Sequence, residues 1–207
     1  MAEILIFARA PIPGACKSRL ARGIGTVRAA RVYRAMLTQT IETAVGTGAA
    51  GVHLLCAPDT RHPLFHQLRR RFGCCLHRQP RGDLGQRMHR ALIDRLRRGA
   101  EPVLLVGSDC PGLTVADLDN ALSALTTGED AVLGPTEDGG YALVGLRSPA
   151  ARLFRGVTWS TPRVIGQTRH RLRRLGWGWQ ETRPLADVDH PRDWYRARRA
   201  GWLDHPD

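Results

Sequence analysis

Lysine is almost missing from this chain. Of 31 basic residues in 207, Lys17 alone is lysine and the others are arginine. Aromatic residues are scarce too, at 6%, and they are not interleaved with a basic run, so stacking platforms for nucleic-acid bases are poorly represented. No CxxC pair occurs among the five cysteines, Cys16, Cys56, Cys74, Cys75 and Cys110. An odd count without that spacing argues against a disulfide framework or a structural zinc site and for free, mostly buried thiols. Cys110 follows Asp109 but has no local base that would activate it as a nucleophile. No apolar run approaches the ~20 residues that span a bilayer. The opening MAEILIFARAPIPG reads as a strand, without a basic leader or a small-residue cleavage pattern, so a cytoplasmic protein that makes no use of a membrane is expected. Internal repeats, low-complexity tracts and linkers are also lacking, and residues 1–207 are expected to form one domain.

What is present is ordinary for a folded chain: 43% hydrophobic and 24% charged residues. The net charge of +12 and a pI near 11.0 would suit a nucleic-acid binder or a protein that handles phosphorylated ligands. Many arginines fall in helix-like stretches, Arg69 to Arg71, Arg95 to Arg98 and Arg171 to Arg174, where a solvated face explains them. Nucleic acid is therefore kept only as a contrasting partner class.

The chain is organised around Glu101 to Leu113, EPVLLVGSDCPGL. Val103 to Val106 has the length of a buried parallel strand, and Gly107, Pro111 and Gly112 end regular structure directly after it. Asp109 is thereby placed at a strand's carboxyl end, the edge at which open α/β sheets bind ligands. A carboxylate there suits a hard divalent cation, which prefers oxygen donors; a turn cap before the helix at Thr114 is the structural alternative.

Glu3 to Ala8 predicts a first strand, and RAPIPGACKSRL after it predicts a loop that leads into a helix at Lys17 and Arg19. Loop amides, a helix amino end and two cations favour phosphate, although neither GxxxxGK[ST] nor GxGxxG is present. A chain that otherwise writes its positive charge as arginine keeps lysine at this loop, and the compact ammonium suits phosphate oxygens.

Thr26 to Val45 carries Ala30, Tyr33, Leu37, Ile41 and Ala44 at helical spacing, with Thr26 as a possible cap. A strand at Gly51 to Cys56, a helix with Leu64, Phe65, Leu68 and Phe72, and a short strand at Cys74 to His77 follow. The alternation predicts a mostly parallel sheet with crossover helices.

In GDLGQRM, Gly82 and Gly85 permit close backbone approach, to a ligand or to a neighbouring element, while Gln86, Arg87 and His89 read as surface. A helix from Thr114 to Leu125, with Thr114 as cap and Asp117 three residues on, follows the central strand. GPTEDGGYALVGL places Glu137 and Asp138 before paired glycines, which fits a hairpin or a substrate loop equally. A helix around Ile165 to Leu175 and a WGWQ strand precede PLADVDHPRDW, where Asp187 and Asp189 flank Val188 ahead of a final helix. In an extended segment both would point the same way, as two metal ligands do; a helix cap is an adequate alternative.

Together FARAPIPGACKSRL, GDLGQRM, GSDCPGL, GPTEDGGYALVGL, VTWST and DVDHPRDW resemble, in order from Ile4 to about Trp194, a bacterial family. It is labelled either as of unknown function or as a glycosyltransferase family associated with radical S-adenosylmethionine proteins. That family is similar to the nucleotide-diphospho-sugar transferases of GT-A fold, a Rossmann-like three-layer α/β sandwich with a mostly parallel central sheet, and to the phospholactate and molybdenum-cofactor guanylyltransferases.

The resemblance implies nucleotide contacts from Ala8, Pro13, Gly14, Lys17, Arg19, Leu20, Gly85 and Ser108. It places Mg2+ or Mn2+ at Asp109, with Asp189 as second ligand and its neighbour Asp187 as a rival for that place. The acceptor or sugar would be faced by Glu137, Asp138, Gly139, Gly140, Tyr141 and Trp159. Catalysis would fall to Asp109, Lys17 and Asp138.

Ser18 stands where threonine is common, and SDCP stands in place of the DxD of glycosyltransferases, which moves weight toward nucleotidyl transfer. The implied activity is glycosyl transfer from a nucleotide sugar to a small-molecule acceptor. The alternatives are nucleotidyl transfer from a triphosphate to a phosphorylated small molecule, with release of pyrophosphate, and a non-catalytic nucleotide- or nucleic-acid-binding module. Trp177, Trp179 and Trp202 would serve either a homodimer interface or the core.

Overall fold

The computed structural model describes residues 1–203. Its strands are β1 (Glu3–Arg9), β2 (Gly51–Ala57), β3 (Cys75–Arg78), β4 (Val103–Val106), β5 (Ala131–Pro135), β6 (Tyr141–Leu146) and β7 (Trp179–Glu181), joined in one sheet of order β3-β2-β1-β4-β6-β5-β7. β3, β2, β1 and β4 run parallel, and so do β5 and β7; β6 is antiparallel to both its neighbours. The expected mostly parallel sheet is present. The reversal at β6 follows from the short Thr136–Gly140 connection, which is too short for a crossover and closes a hairpin with β5.

The helices are α1 (Ser18–Ile24), α2 (Thr26–Gly46), α3 (Pro63–Phe72), α4 (Leu84–Arg97), α5 (Val115–Thr127), α6 (Ala151–Phe154), α7 (Val164–Leu175) and α8 (Pro191–Arg199). Strand alternation sends Ile4, Ile6, Leu104 and Val106 to one face, against Leu37 and Ile41 of α2, Phe65 of α3 and Leu118 of α5. Leu5, Val103 and Leu105 go to the other face, against Met88 and Leu92 of α4 and Leu172 of α7. β1 and β4 are thus apolar on both sides, which is why they read as unbroken apolar runs. A third cluster, Leu20, Met36, Val188, Trp194 and Ala197, packs α1 and α8 on α2 at one end.

Thr114 caps α5 in a reciprocal box with Asp117, as the spacing predicts. Thr26 is not a cap. Gly25, at φ 83°, takes that position and Thr26 opens the helix, because the chain must turn sharply between α1 and α2 and glycine alone does so without strain. The four-residue helix α6 has no counterpart in the sequence reading.

One cluster lies away from the strands' carboxyl ends. His53 Nδ1 and His77 Nε2 are 3.0 Å apart and share one hydrogen, His53 Nε2 lies 3.4 Å from Glu3, and Arg95 clasps Glu3 through Nε and Nη2 at 2.5 and 2.7 Å. Burial, reinforced by Arg95, holds both histidines below the ordinary value; His62 and His89 are lowered chiefly by burial as well. The unfolded chain therefore takes up protons near pH ~6.5, before the folded one does. Stability is expected to fall as pH drops from about 7 through that value, and His77→Gln is expected to flatten the slope of Tm against pH between about 7 and 5. Differential scanning fluorimetry across that range measures it, and an unchanged slope contradicts the assignment.

Candidate active site

Two cavities open at the carboxyl ends of β1 and β4. The first, about 650 Å3, is walled by Phe7, Ala8, Gly14, Lys17, Arg19, Ser108, Asp109 and Asp189, with Tyr33, Gln79 and Arg87. The second, about 350 Å3, is walled by Met88, Leu105, Val144 and Trp159 together with Asp138, Gly140, Tyr141 and Asp187. Phe7, Leu84, Gly107, Asp109 and Asp189 belong to both.

Lys17 stands at the junction. Its Nζ donates to Asp189 Oδ1 at 2.8 Å and to Asp109 Oδ2 at 3.1 Å, with only 9% of its side chain exposed. Its backbone is left-handed, at φ 46°, an uncommon conformation for a residue with a Cβ, at the turn from loop into α1. Burial works to remove the ammonium's charge, but the two carboxylates outweigh it and raise the pKa above that of ordinary lysine. Asp189 is also approached by Arg19 Nη1 at 3.4 Å; against burial, Lys17 and Arg19 keep its pKa low.

Asp109 leaves β4 through Gly107, where a Cβ would come within 3.0 Å of Asp109 Oδ1. Its carbonyl accepts the Val188 N–H at 2.9 Å, and Val188 is buried. That bond holds Asp187 and Asp189 beside Asp109. Asp187 lies outside the Lys17 clasp, and burial, together with Asp109, Asp138 and Asp189, pushes its pKa up to about 6. Asp138 Oδ1 is held by Thr136 Oγ1 at 2.6 Å and by the Gly140 N–H at 3.0 Å.

Of the residues implied for a nucleotide, Ala8, Gly14, Lys17, Arg19 and Ser108 share the first cavity. Leu20 and Gly85 do not. Leu20 is wholly buried between α1 and α2 because the first turn of α1 points it inward. Gly85 is glycine because Trp159 Nε1 and Phe154 O would lie 2.6 and 2.8 Å from a Cβ there, so its role is close packing. Pro13 is exposed on the loop, off the cavity wall.

On the acceptor side, Asp138, Gly140, Tyr141 and Trp159 line the second cavity. Glu137 turns away to an ion pair with Arg196 of α8 at 2.6 Å, and Gly139 lies against Pro162, where no Cβ would fit. Cys110 is buried with its thiol pKa pushed well up by burial, which agrees with an inert thiol.

Several residues of the site carry no local signal in the sequence. Ser108 Oγ donates to Phe7 O at 2.8 Å, so in its 2.8 Å contact with Tyr33 Oη the phenol is the donor, and that same oxygen accepts the Arg9 N–H at 2.8 Å. Tyr33 looks like one more apolar-stripe residue of α2, and only its hydroxyl distinguishes it. Gln167 of α7 pins the loop that carries Trp159, accepting from Thr158 N at 2.8 Å and donating to Thr158 Oγ1 at 2.9 Å.

Asp109, Asp138, Asp187 and Asp189 offer carboxylate oxygens, the donor type that Mg2+ or Mn2+ takes. Among the described residues, no group of three or more Asp, Glu, His or Cys side chains could hold a metal ion. The fit is to an ion held by one or two carboxylates and completed by phosphate and water.

The sheet order and helix layers are those of the GT-A type. A putative nucleotide-diphospho-sugar transferase from Desulfovibrio desulfuricans G20 superposes with a TM-score of 0.88 at 29% identity, over 97% of this chain and 87% of that one. The 4-diphosphocytidyl-2C-methyl-D-erythritol synthase of Anaerococcus prevotii DSM 20548 shares the fold at TM-score 0.63 and 10% identity, over 97% of each chain. Glucosyl-3-phosphoglycerate synthase from Mycobacterium tuberculosis, in complex with Mn2+, UDP and glucosyl-3-phosphoglycerate, shares it at 0.58 and 12%, over 95% of this chain and 75% of that one. No curated protein matches the sequence. The fold is that of the nucleotide-diphospho-sugar transferase class. Within it, the chain belongs to the bacterial family described as uncharacterized protein conserved in bacteria (DUF2064), whose model matches residues 40–161.

Tyr33→Phe removes one hydroxyl and leaves the Arg9 N–H and Ser108 Oγ each short of a partner. An expected loss of about 1–3 kcal/mol, read by urea denaturation with the far-UV spectrum unchanged, checks the hydrogen-bonded chain; a loss under about 0.5 kcal/mol contradicts it.

Proposed function

We propose that this transferase moves a sugar from a nucleotide-sugar donor to the hydroxyl of a small-molecule acceptor, with Mg2+ or Mn2+ as cofactor. The observation that carries the reading is the pair of adjoining cavities, one walled by Lys17 and Arg19, the other by four aspartates and apolar side chains. Phosphates of the donor would lie in the first, against Lys17, Arg19 and the loop amides after Gly14. The acceptor would occupy the second, its apolar part on Met88, Val144 and Trp159.

Asp109, with Asp189 or Asp187, would hold the metal, which when bound neutralises charge on the phosphates. In transfer, the acceptor oxygen forms a bond to the anomeric carbon, the bond from that carbon to the diphosphate breaks, and the acceptor proton passes to a carboxylate. We assign that last role to Asp138, whose Oδ1 is fixed by Thr136 and Gly140 while Oδ2 makes no hydrogen bond among the described residues. Lys17 would leave the two aspartates for the phosphates and stabilise charge on the departing diphosphate.

Nucleotidyl transfer to a phosphorylated acceptor is the second reading, favoured by SDCP in place of DxD. The second cavity weighs against it, because no Lys, Arg or His lines that wall to receive a phosphate.

Thermal shift with nucleotide sugars, diphosphates and triphosphates, each with and without Mn2+, tests the donor. Metal-dependent stabilisation by a nucleotide sugar or its diphosphate is expected; a response to triphosphates alone would favour nucleotidyl transfer. Lys17→Met and Asp109→Asn are expected to weaken diphosphate binding by about tenfold or more, and unchanged affinity in both removes the basis for the reading. Asp138→Asn is expected to lower kcat by about 100-fold or more with KM little changed; normal turnover would take the proton-accepting role from Asp138.

A further inference from the structure

Arg87, in the first turns of α4, is a cation without an acid. It lines the first cavity, its Nη1 donates to Gln79 Oε1 at 3.0 Å, its Nε–H is buried without an acceptor, and it makes no ion pair among the described residues. Arg95, Arg169 and Arg183, which also tie elements together, each hold a carboxylate.

Gln79 has no freedom to rearrange. Its Nε2 donates to Leu55 O at 2.9 Å and Ala8 O at 3.1 Å, and its backbone N–H to Cys56 O at 2.9 Å. Two carbonyls on the amide nitrogen settle which way the amide faces, so Oε1 must turn to Arg87. The guanidinium is therefore held in a set place on the cavity wall, with further N–H groups to spare.

Its place along the sheet edge matters. Gln79 is tied to the ends of β1 and β2, whereas Lys17 is clasped by Asp109 beyond the end of β4, and β1 lies between β2 and β4. A nucleotide laid along this edge with its phosphates at Lys17 directs its base toward Gln79 and Arg87.

On that geometry, and resting on the reading of this cavity as the nucleotide site, we propose that Arg87 reads the base and selects nucleotides whose base carries a ring carbonyl. Guanidinium offers donors only. Guanine, cytosine and uracil present carbonyl oxygens to it; adenine has none, and its exocyclic amino group sets a donor beside N7. Lysine would not substitute, because a point charge lacks the planar fork that meets a base edge.

Equilibrium binding of GDP, CDP, UDP and ADP, each with Mn2+, to the full chain and to Arg87→Met, Arg87→Lys and Gln79→Leu tests this. The tightest wild-type ligand is expected to be a carbonyl-bearing base, with ADP weaker by about tenfold or more. Arg87→Met is expected to shrink that ratio to about threefold or less by weakening the carbonyl-bearing ligands and not ADP, Arg87→Lys not to restore it, and Gln79→Leu to narrow it with Arg87 still in place.

ADP as the tightest ligand overturns the proposal. So does equal weakening of all four ligands in Arg87→Met with recovery in Arg87→Lys, the signature of a phosphate contact. Should Arg87→Met not fold, an unchanged ratio in Gln79→Leu overturns it. Absence of binding by all four overturns the nucleotide reading and this proposal with it, a result distinct from loss of discrimination alone.

Discussion

One ammonium between two carboxylates holds this site together. Lys17 comes from the loop after β1, Asp109 from the end of β4 and Asp189 from the segment before α8, and Nζ lies within 3.1 Å of both acids. A buried cation with two partners is stable where an isolated one is not, because the Coulomb attraction offsets the lost hydration. The same contact leaves Asp187 outside the clasp, so the cluster as a whole holds more negative charge than Lys17 and Arg19 cancel.

The sheet explains why these groups meet. β1 and β4 are neighbours and parallel, so their loops leave at one edge. The antiparallel hairpin of β5 and β6 returns to that edge and delivers Asp138, while the Val188 N–H bonded to the Asp109 carbonyl brings in the last two aspartates. The groups of the candidate site thus sit in loops, and the strands supply rigidity.

Three arginines, of a residue type dominant in the composition, act as brackets between elements. Arg95 joins α4 to β1 through Glu3, Arg169 joins α7 to β7 through Glu181, and Arg183 joins Asp117 of α5 to the carbonyl of Gly112. Planar, multidentate guanidinium suits such junctions. Lysine occurs where a compact charge on a flexible stem is wanted, at the point that must exchange carboxylates for phosphates under the proposed function.

Local pattern along the sequence determined the order of the strands and of the longer helices, the mostly parallel character of the sheet, the Thr114 cap and the position of Asp109 at a strand end, because these depend on neighbours a few residues away. Motif resemblance set the Lys17 loop and Asp109 at one site, though not the ion pair between them. Tertiary structure alone decided the rest. Leu20 and Gly85 proved to be packing residues, since whether a side chain meets a cavity or a helix depends on elements distant in the chain. Tyr33 and Gln79 became part of the cavity wall for the same reason: their partners Ser108, Leu55 and Ala8 lie 24 to 75 residues away, no local pattern encodes a contact across such a span, and Arg87 is placed there by its bond to Gln79.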